Sequence, residues 1–144
     1  MIDDVLVNKA ATIERCVGRA REEYAKGAKD FLSDYTRQDA AILNVQRACE
    51  AALDMGQHLV RRERLGVPQS SRDVFELLHR GGWLSAGLAS SMKAMVGFRN
   101  IAVHDYQAMH IPILVSIITS NLDDMIAFSS AILRRDVQQA GPIT

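Results

Sequence analysis

Apolar and polar positions alternate with helical spacing along most of this chain. Ile13, Cys16, Val17, Ala20 and Tyr24 step by threes and fours, the stripe of an amphipathic helix that starts at an N-cap Asp3 or Asp4. Gly27 suggests fraying near its end, and FLSDYT (31–36) makes a short link. A second helix is expected from near Thr36, whose side chain would cap the amide of Asp39, to about Leu65, where GVP (66–68) stops it. Its apolar face is Ala41, Val45, Ala48, Ala52, Met55 and Leu59, small enough for a neighbouring helix to approach closely. Its other side carries Arg47, Glu50, Asp54, Gln57 and Arg61. Such a stripe is ordinarily solvated surface, and it is also what one wall of a polar cleft looks like.

PQSS (68–71) opens a short third helix, with Ser70 capping toward Asp73 and Val74, Leu77 and Leu78 on the apolar side. Gly81 and Gly82 end it. Ser85 is the expected N-cap of a fourth helix, with Leu88, Met92, Met95 and Val96 facing inward. The last helix begins around Pro112 and lines a broad apolar surface with Ile113 or Leu114, then Ile117, Ile118, Leu122, Met125, Ile126 and Phe128. The pattern therefore predicts an all-α fold, a bundle of four long helices plus one short one, in a single domain over 1–138 with a flexible tail at 139–144. Helices this aliphatic commonly bury a surplus face against a second copy, which leaves room for a homodimer without fixing one.

Composition changes this picture little. At 144 residues there is material for one core, and 6% aromatic against 48% hydrophobic content makes that core aliphatic. No run of 18 apolar residues suggests a membrane span. The first sixteen residues, MIDDVLVNKAATIERC, carry acids early and lack the basic and apolar regions of a signal peptide, so a cytoplasmic protein is expected. Cys16 and Cys49 fall on apolar helix faces and read as small buried hydrophobes in a reducing compartment. A formal net charge of zero argues against a protein that coats nucleic acid by bulk charge, yet leaves room for a local phosphate site.

One segment does not read as ordinary packing: VGFRNIAVHDY, Val96 to Tyr106, which gathers Arg99, His104 and Tyr106 at an expected helix end. Five residues apart on one helix, Arg99 and His104 lie about 140° apart around the axis and about 7.5 Å along it. They share no face, so they converge only if the helix bends or a second chain contributes. A two-fold axis beside the helix would bring two Arg and two His into one site. The residue types suit RNA phosphodiester cleavage. There the 2′-OH loses a proton, the phosphorane builds negative charge, and the 5′-oxygen gains a proton. Histidine moves protons near neutral pH, and arginine offers a permanent planar fork for phosphate oxygens. Asn100 would orient Arg99 or hold backbone. No metal motif is present: His58, His79 and His110 are scattered and read as surface or capping residues. The same three residues also suit a capped terminus, with His104 on the last carbonyls, Arg99 paired to an acid, and Tyr106 packed under the loop.

RNIAVHDY, 99–106, matches the Arg-x4-His-x-Tyr motif of HEPN-domain ribonucleases, with Asn100 as the polar residue favoured after the arginine. Over roughly residues 1–135 the chain resembles the HepT toxin family: TRQDAAILNVQRACEAALDMG is similar to its second helix, LGVPQSSRDVFELL to its connecting segment, and MKAMVGFRNIAVHDY to its motif helix. The resemblance implies a HEPN-type dimer and a metal-independent endoribonuclease with Arg99 and His104 at the catalytic positions. It implies that Tyr106 receives AMP from a nucleotidyltransferase (MNT-type) antitoxin, which uses ATP while this chain needs no cofactor of its own. Added AMP would bring charge and bulk beside His104 and exclude an RNA phosphate. Arg47, Glu50 and Asp54 then become candidates for the cleft wall. The alternative is a non-catalytic helical dimer that serves as the nucleotidyltransferase's binding partner and substrate.

Overall fold

The computed structural model describes residues 2–27 and 29–139, all helices and connections among those residues. The order is α1 (Asp4–Lys26), α2 (Tyr35–Arg62), α3 (Ser71–Arg80), α4 (Ala86–His104), a 3₁₀ turn (Tyr106–Ala108), α5 (Ile111–Ser116), a π-wound turn (Ile117–Asn121) and α6 (Leu122–Gln139). The segments from Ile111 onward run on as one helix, so the bundle has the expected four long helices and one short one. Of the tail expected at 139–144, Gln139 closes α6 and the rest lies outside the described residues.

The caps explain most of the boundaries. The Asp3 carboxylate accepts from the Val5 and Leu6 amides and starts α1. The start of α2 differs from expectation: Asp34 rather than Thr36 is the N-cap, accepting from the Arg37 amide at 3.1 Å. A carboxylate is the stronger acceptor at a helix N-terminus, where the backbone dipole favours negative charge. The helix ends at Arg62, three residues short of Leu65, and the chain turns through Arg64 and Gly66, both at positive φ. Ser70 and Ser85 cap α3 and α4 as expected, accepting from Asp73 and Leu88 amides at 3.2 Å each.

The core forms around α2. Ala41, Val45, Ala48, Ala52, Met55 and Leu59 are all completely buried, with α1, α3, α4 and α6 packed around them. Gly56 lets α3 approach, since a Cβ there would lie 2.7 Å from Val74 Cγ1. Phe75 and Phe128 meet edge to face beneath that contact, 5.5 Å between centroids. Cys16 and Cys49 are free, buried thiols; burial pushes Cys49 up to about 12.

Ile111–Gln139 is long and apolar enough, by length and composition, to cross a membrane. It uses that apolar surface as a core wall, burying Leu114, Ile117, Ile118, Leu122, Met125, Phe128 and Ile132. Of the two candidates at its start, Leu114 is buried and Ile113 faces outward.

Candidate active site

The site sits where α4 ends. Its inner face, Ala89, Met92, Met95, Val96, Phe98 and Ala102, is buried and holds the helix against the bundle. α4 remains helical from Ala86 to His104, so Arg99 and His104 keep the angular offset of a straight helix and do not face each other within one chain. His104 is the last helical residue and is exposed; the Asp105 amide behind it closes the helix on Ile101 O at 2.9 Å.

Arg99 turns toward α2. Its Nη1 donates to Asn100 Oδ1 at 3.2 Å, and its Nε lies 3.8 Å from Glu50 Oε1, close enough for charge attraction but too long for a hydrogen bond. Nε is a buried side-chain donor without a hydrogen-bond partner, in a side chain 27% exposed. A buried, unpaired guanidinium N–H is costly to maintain; the Glu50 carboxylate beside it offsets part of that cost, and the other guanidinium donors are left for an anion. Glu50 is itself steadied by Gln46, whose Nε2 donates to Oε1 at 3.2 Å.

Of the expected cleft wall, Glu50 alone reaches the motif arginine. Asp54 turns away to an ion pair with Lys9 of α1 at 3.1 Å, and Arg47 is exposed on α2. Asn100 does contact Arg99, as expected. The other histidines take structural posts: His58 Nε2 meets Asp3 Oδ2 at 2.7 Å, His79 Nδ1 meets Leu84 O at 2.9 Å, and His110 occupies the N-cap position of α5.

Tyr106 opens the 3₁₀ turn beyond the helix end, with its ring 44% exposed. Its hydroxyl donates to Asp39 Oδ1 near the start of α2, a partner that sequence reasoning missed. Loss of solvent around the phenol and the adjacent carboxylate push it up to about 12. Asp39 and Tyr106 are 67 positions apart, and no periodicity links them.

Beside this polar corner, α4 and the following segment enclose an apolar cavity of about 270 Å³ lined by Phe98, Ile101, Met109, Ile113 and Ile117. Ile101 and Ile113 leave large apolar side chains facing outward there. This end of the protein thus offers a guanidinium, an accessible imidazole and a phenol on α4 and the turn after it, with an apolar pocket on the same helix.

A family model described as Ribonuclease HepT-like matches residues 13–132. The chain is 44% identical to the mRNA nuclease HepT of Shewanella oneidensis over 131 residues, 91% of this chain and 98% of that protein. It is similar to the solved structure of a tri-AMPylated Shewanella oneidensis HEPN toxin in complex with MNT antitoxin, at a TM-score of 0.85 and 44% identity, over 91% of this chain and 98% of that one. A toxin–antitoxin crystal structure with AMP-PNP matches with a TM-score of 0.86 and 44% identity, over 90% of this chain and 98% of that one.

Proposed function

The chain belongs to the HepT-like ribonuclease family and is a toxin-type RNA-cleaving enzyme; on that premise we propose that Arg99 and His104 carry its chemistry and Tyr106 its control. The observation that carries this reading is Arg99 itself, held with a buried, unpaired N–H on the same helix that ends in the exposed His104. The alternative of a non-catalytic substrate subunit gives way to the enzyme family to which the chain belongs.

The arginine fork binds the scissile phosphate and stabilises the charge that builds on the phosphorane. An imidazole takes the 2′-OH proton as that oxygen attacks phosphorus, and the imidazolium so formed returns a proton to the departing 5′-oxygen. Two copies of α4 related by a two-fold axis would supply both imidazoles and both arginines to one cleft. The outward Ile101 and Ile113, which line one pocket, support a homodimer in which that apolar surface is covered. Glu50 forms the near wall of the cleft, holding Arg99 from behind. RNA is the substrate, in the cytoplasm, with neither metal nor cofactor. The chain's partner is an MNT-type nucleotidyltransferase antitoxin that uses ATP to place AMP on Tyr106. The phosphate so attached competes with RNA for Arg99, and the adenosine fills the approach to His104.

Purified protein should cleave RNA in EDTA and leave 2′,3′-cyclic or 3′-phosphate ends. Arg99→Ala and His104→Ala should each lower the rate by about 10²–10⁴, the typical worth of one proton-transfer or charge-stabilising group. Undiminished cleavage by the double variant overturns the assignment. Cleavage that stops on chelation overturns the metal-free mechanism.

A further inference from the structure

The contact between Tyr106 and Asp39 has no role in RNA cleavage as derived above. It joins the 3₁₀ turn after α4 to the first turns of α2, and both residues are exposed at the surface. Its direction is chemically specific: the phenol O–H donates and a carboxylate oxygen accepts. The neighbouring charge on α2, Arg37, is engaged elsewhere, with Glu23 at 2.7 Å and Asp34 at 3.7 Å. Among the described residues no cation pairs with Asp39, so its carboxylate is directed at the Tyr106 hydroxyl alone.

We propose that Asp39 is the proton acceptor for nucleotidyl transfer to Tyr106. The inference rests on the reading that Tyr106 is the modified residue, and it assigns to this chain, rather than to the transferase, the base that activates the nucleophile. Tyr106 Oη attacks the α-phosphorus of ATP held by the transferase. The Oη–P bond forms, the bond from the α-phosphorus to the bridging oxygen breaks, and pyrophosphate leaves with that bond's electron pair. The phenol proton passes to Asp39 Oδ1 and from there to solvent, so the products are adenylylated tyrosine, pyrophosphate and one proton. A phenol titrating at about 12 is ionised to only about 1 part in 10⁵ at pH 7, which makes prior ionisation a poor route and concerted proton removal the efficient one.

The test uses the full chain, its cognate nucleotidyltransferase and ATP labelled at the α-phosphate. Asp39→Asn keeps the side chain's shape and removes its basicity; its labelling rate should fall by about 10²-fold or more at pH 7. That residual rate should climb about tenfold per pH unit between pH 7 and 9, while the wild-type rate stays level. Asp39→Glu should restore part of the rate together with the level profile. A purely structural role for Asp39 would raise KM for the toxin and leave kcat and its pH profile unchanged, and that result, or equal rates, overturns the proposal. Wild-type protein that takes up no label overturns the reading of Tyr106 and this inference with it. A measurement without transferase or ATP tests the contact alone: ultraviolet titration of the tyrosines, with Tyr106→Phe identifying the Tyr106 transition. Asp39→Asn should move that transition from about 12 toward the ordinary phenol value, and an unmoved transition overturns the proposal.

Discussion

If Arg99 binds the phosphate as proposed, a charge at this position is insufficient without the geometry of its side chain. Its fork is divided: Nη1 is spent on Asn100, Nε is buried near Glu50 without a hydrogen bond, and the remaining donors are available to a phosphate. Lysine would keep the charge but place a point donor where two parallel N–H groups are needed. Arg99→Lys should therefore lose charge-assisted hydrogen bonding of about 1.5–3 kcal/mol, or roughly 10–150-fold in kcat/KM, measured by steady-state cleavage of a short RNA. A variant at wild-type efficiency would show that only net charge matters. At this scale the motif residues were legible because they lie close together in sequence. Asp39 was not, since a hydrogen bond to a residue 67 positions away leaves no periodic trace. The Thr36 cap was misjudged for a local reason: Asp34, two residues earlier, offers the same helix start a charged acceptor.

Helices were the most legible elements, because six small or aliphatic residues of α2 at alternating steps can be buried together only as one face. The π-wound turn at Ile117–Asn121 was not legible. Ile113 and Leu114 could not be told apart for a local reason: they lie four and three residues before Ile117, and either spacing fits the apolar stripe. Ion-pair ties between elements were also invisible, and the one at Asp3 is testable. Burial works to raise the Asp3 carboxyl, but hydrogen bonds from His58, the Leu6 amide and Arg62 outweigh it and hold it below its usual value. Arg62 continues to Asp136 of α6 at 2.8 Å, so one carboxylate ties the start of α1 to α2 and, through it, to the last helix. A carboxyl lowered in the fold stabilises it above the unfolded value, and that stability is lost as pH falls through the folded one. Asp3→Ala should cost about 1 kcal/mol at pH 7 from the lost cap alone. The difference from wild type should shrink toward pH 2, followed by urea unfolding across that range. A constant difference would overturn the lowered carboxyl, since the cap and the ion pairs both favour its charged form.

For the molecule as a whole, one chain holds all the parts of the site and does not assemble them. Arg99 faces α2, His104 projects at the helix end about 140° around the axis, and α4 shows no bend that would bring them together. The outward apolar Ile101 of the same helix and Ile113 of α5 line one pocket, which a second copy would cover. If one protomer's Arg99 works with its partner's His104, inactive variants should complement each other. In a mixed dimer of Arg99→Ala and His104→Ala, one of the two Arg–His pairings across the axis is intact and the other lacks both groups. Random exchange makes half the dimers mixed, each with half its pairings working, so about a quarter of wild-type activity should return. Each variant alone, and a mixture kept from exchanging subunits, should stay inactive. Pairing within one chain predicts no recovery, because every Arg–His pair in the mixed dimer would then lack one member. Cleavage assayed after co-refolding the two variants at equal concentration distinguishes these arrangements, with the proportion of mixed dimer read from native mass spectrometry.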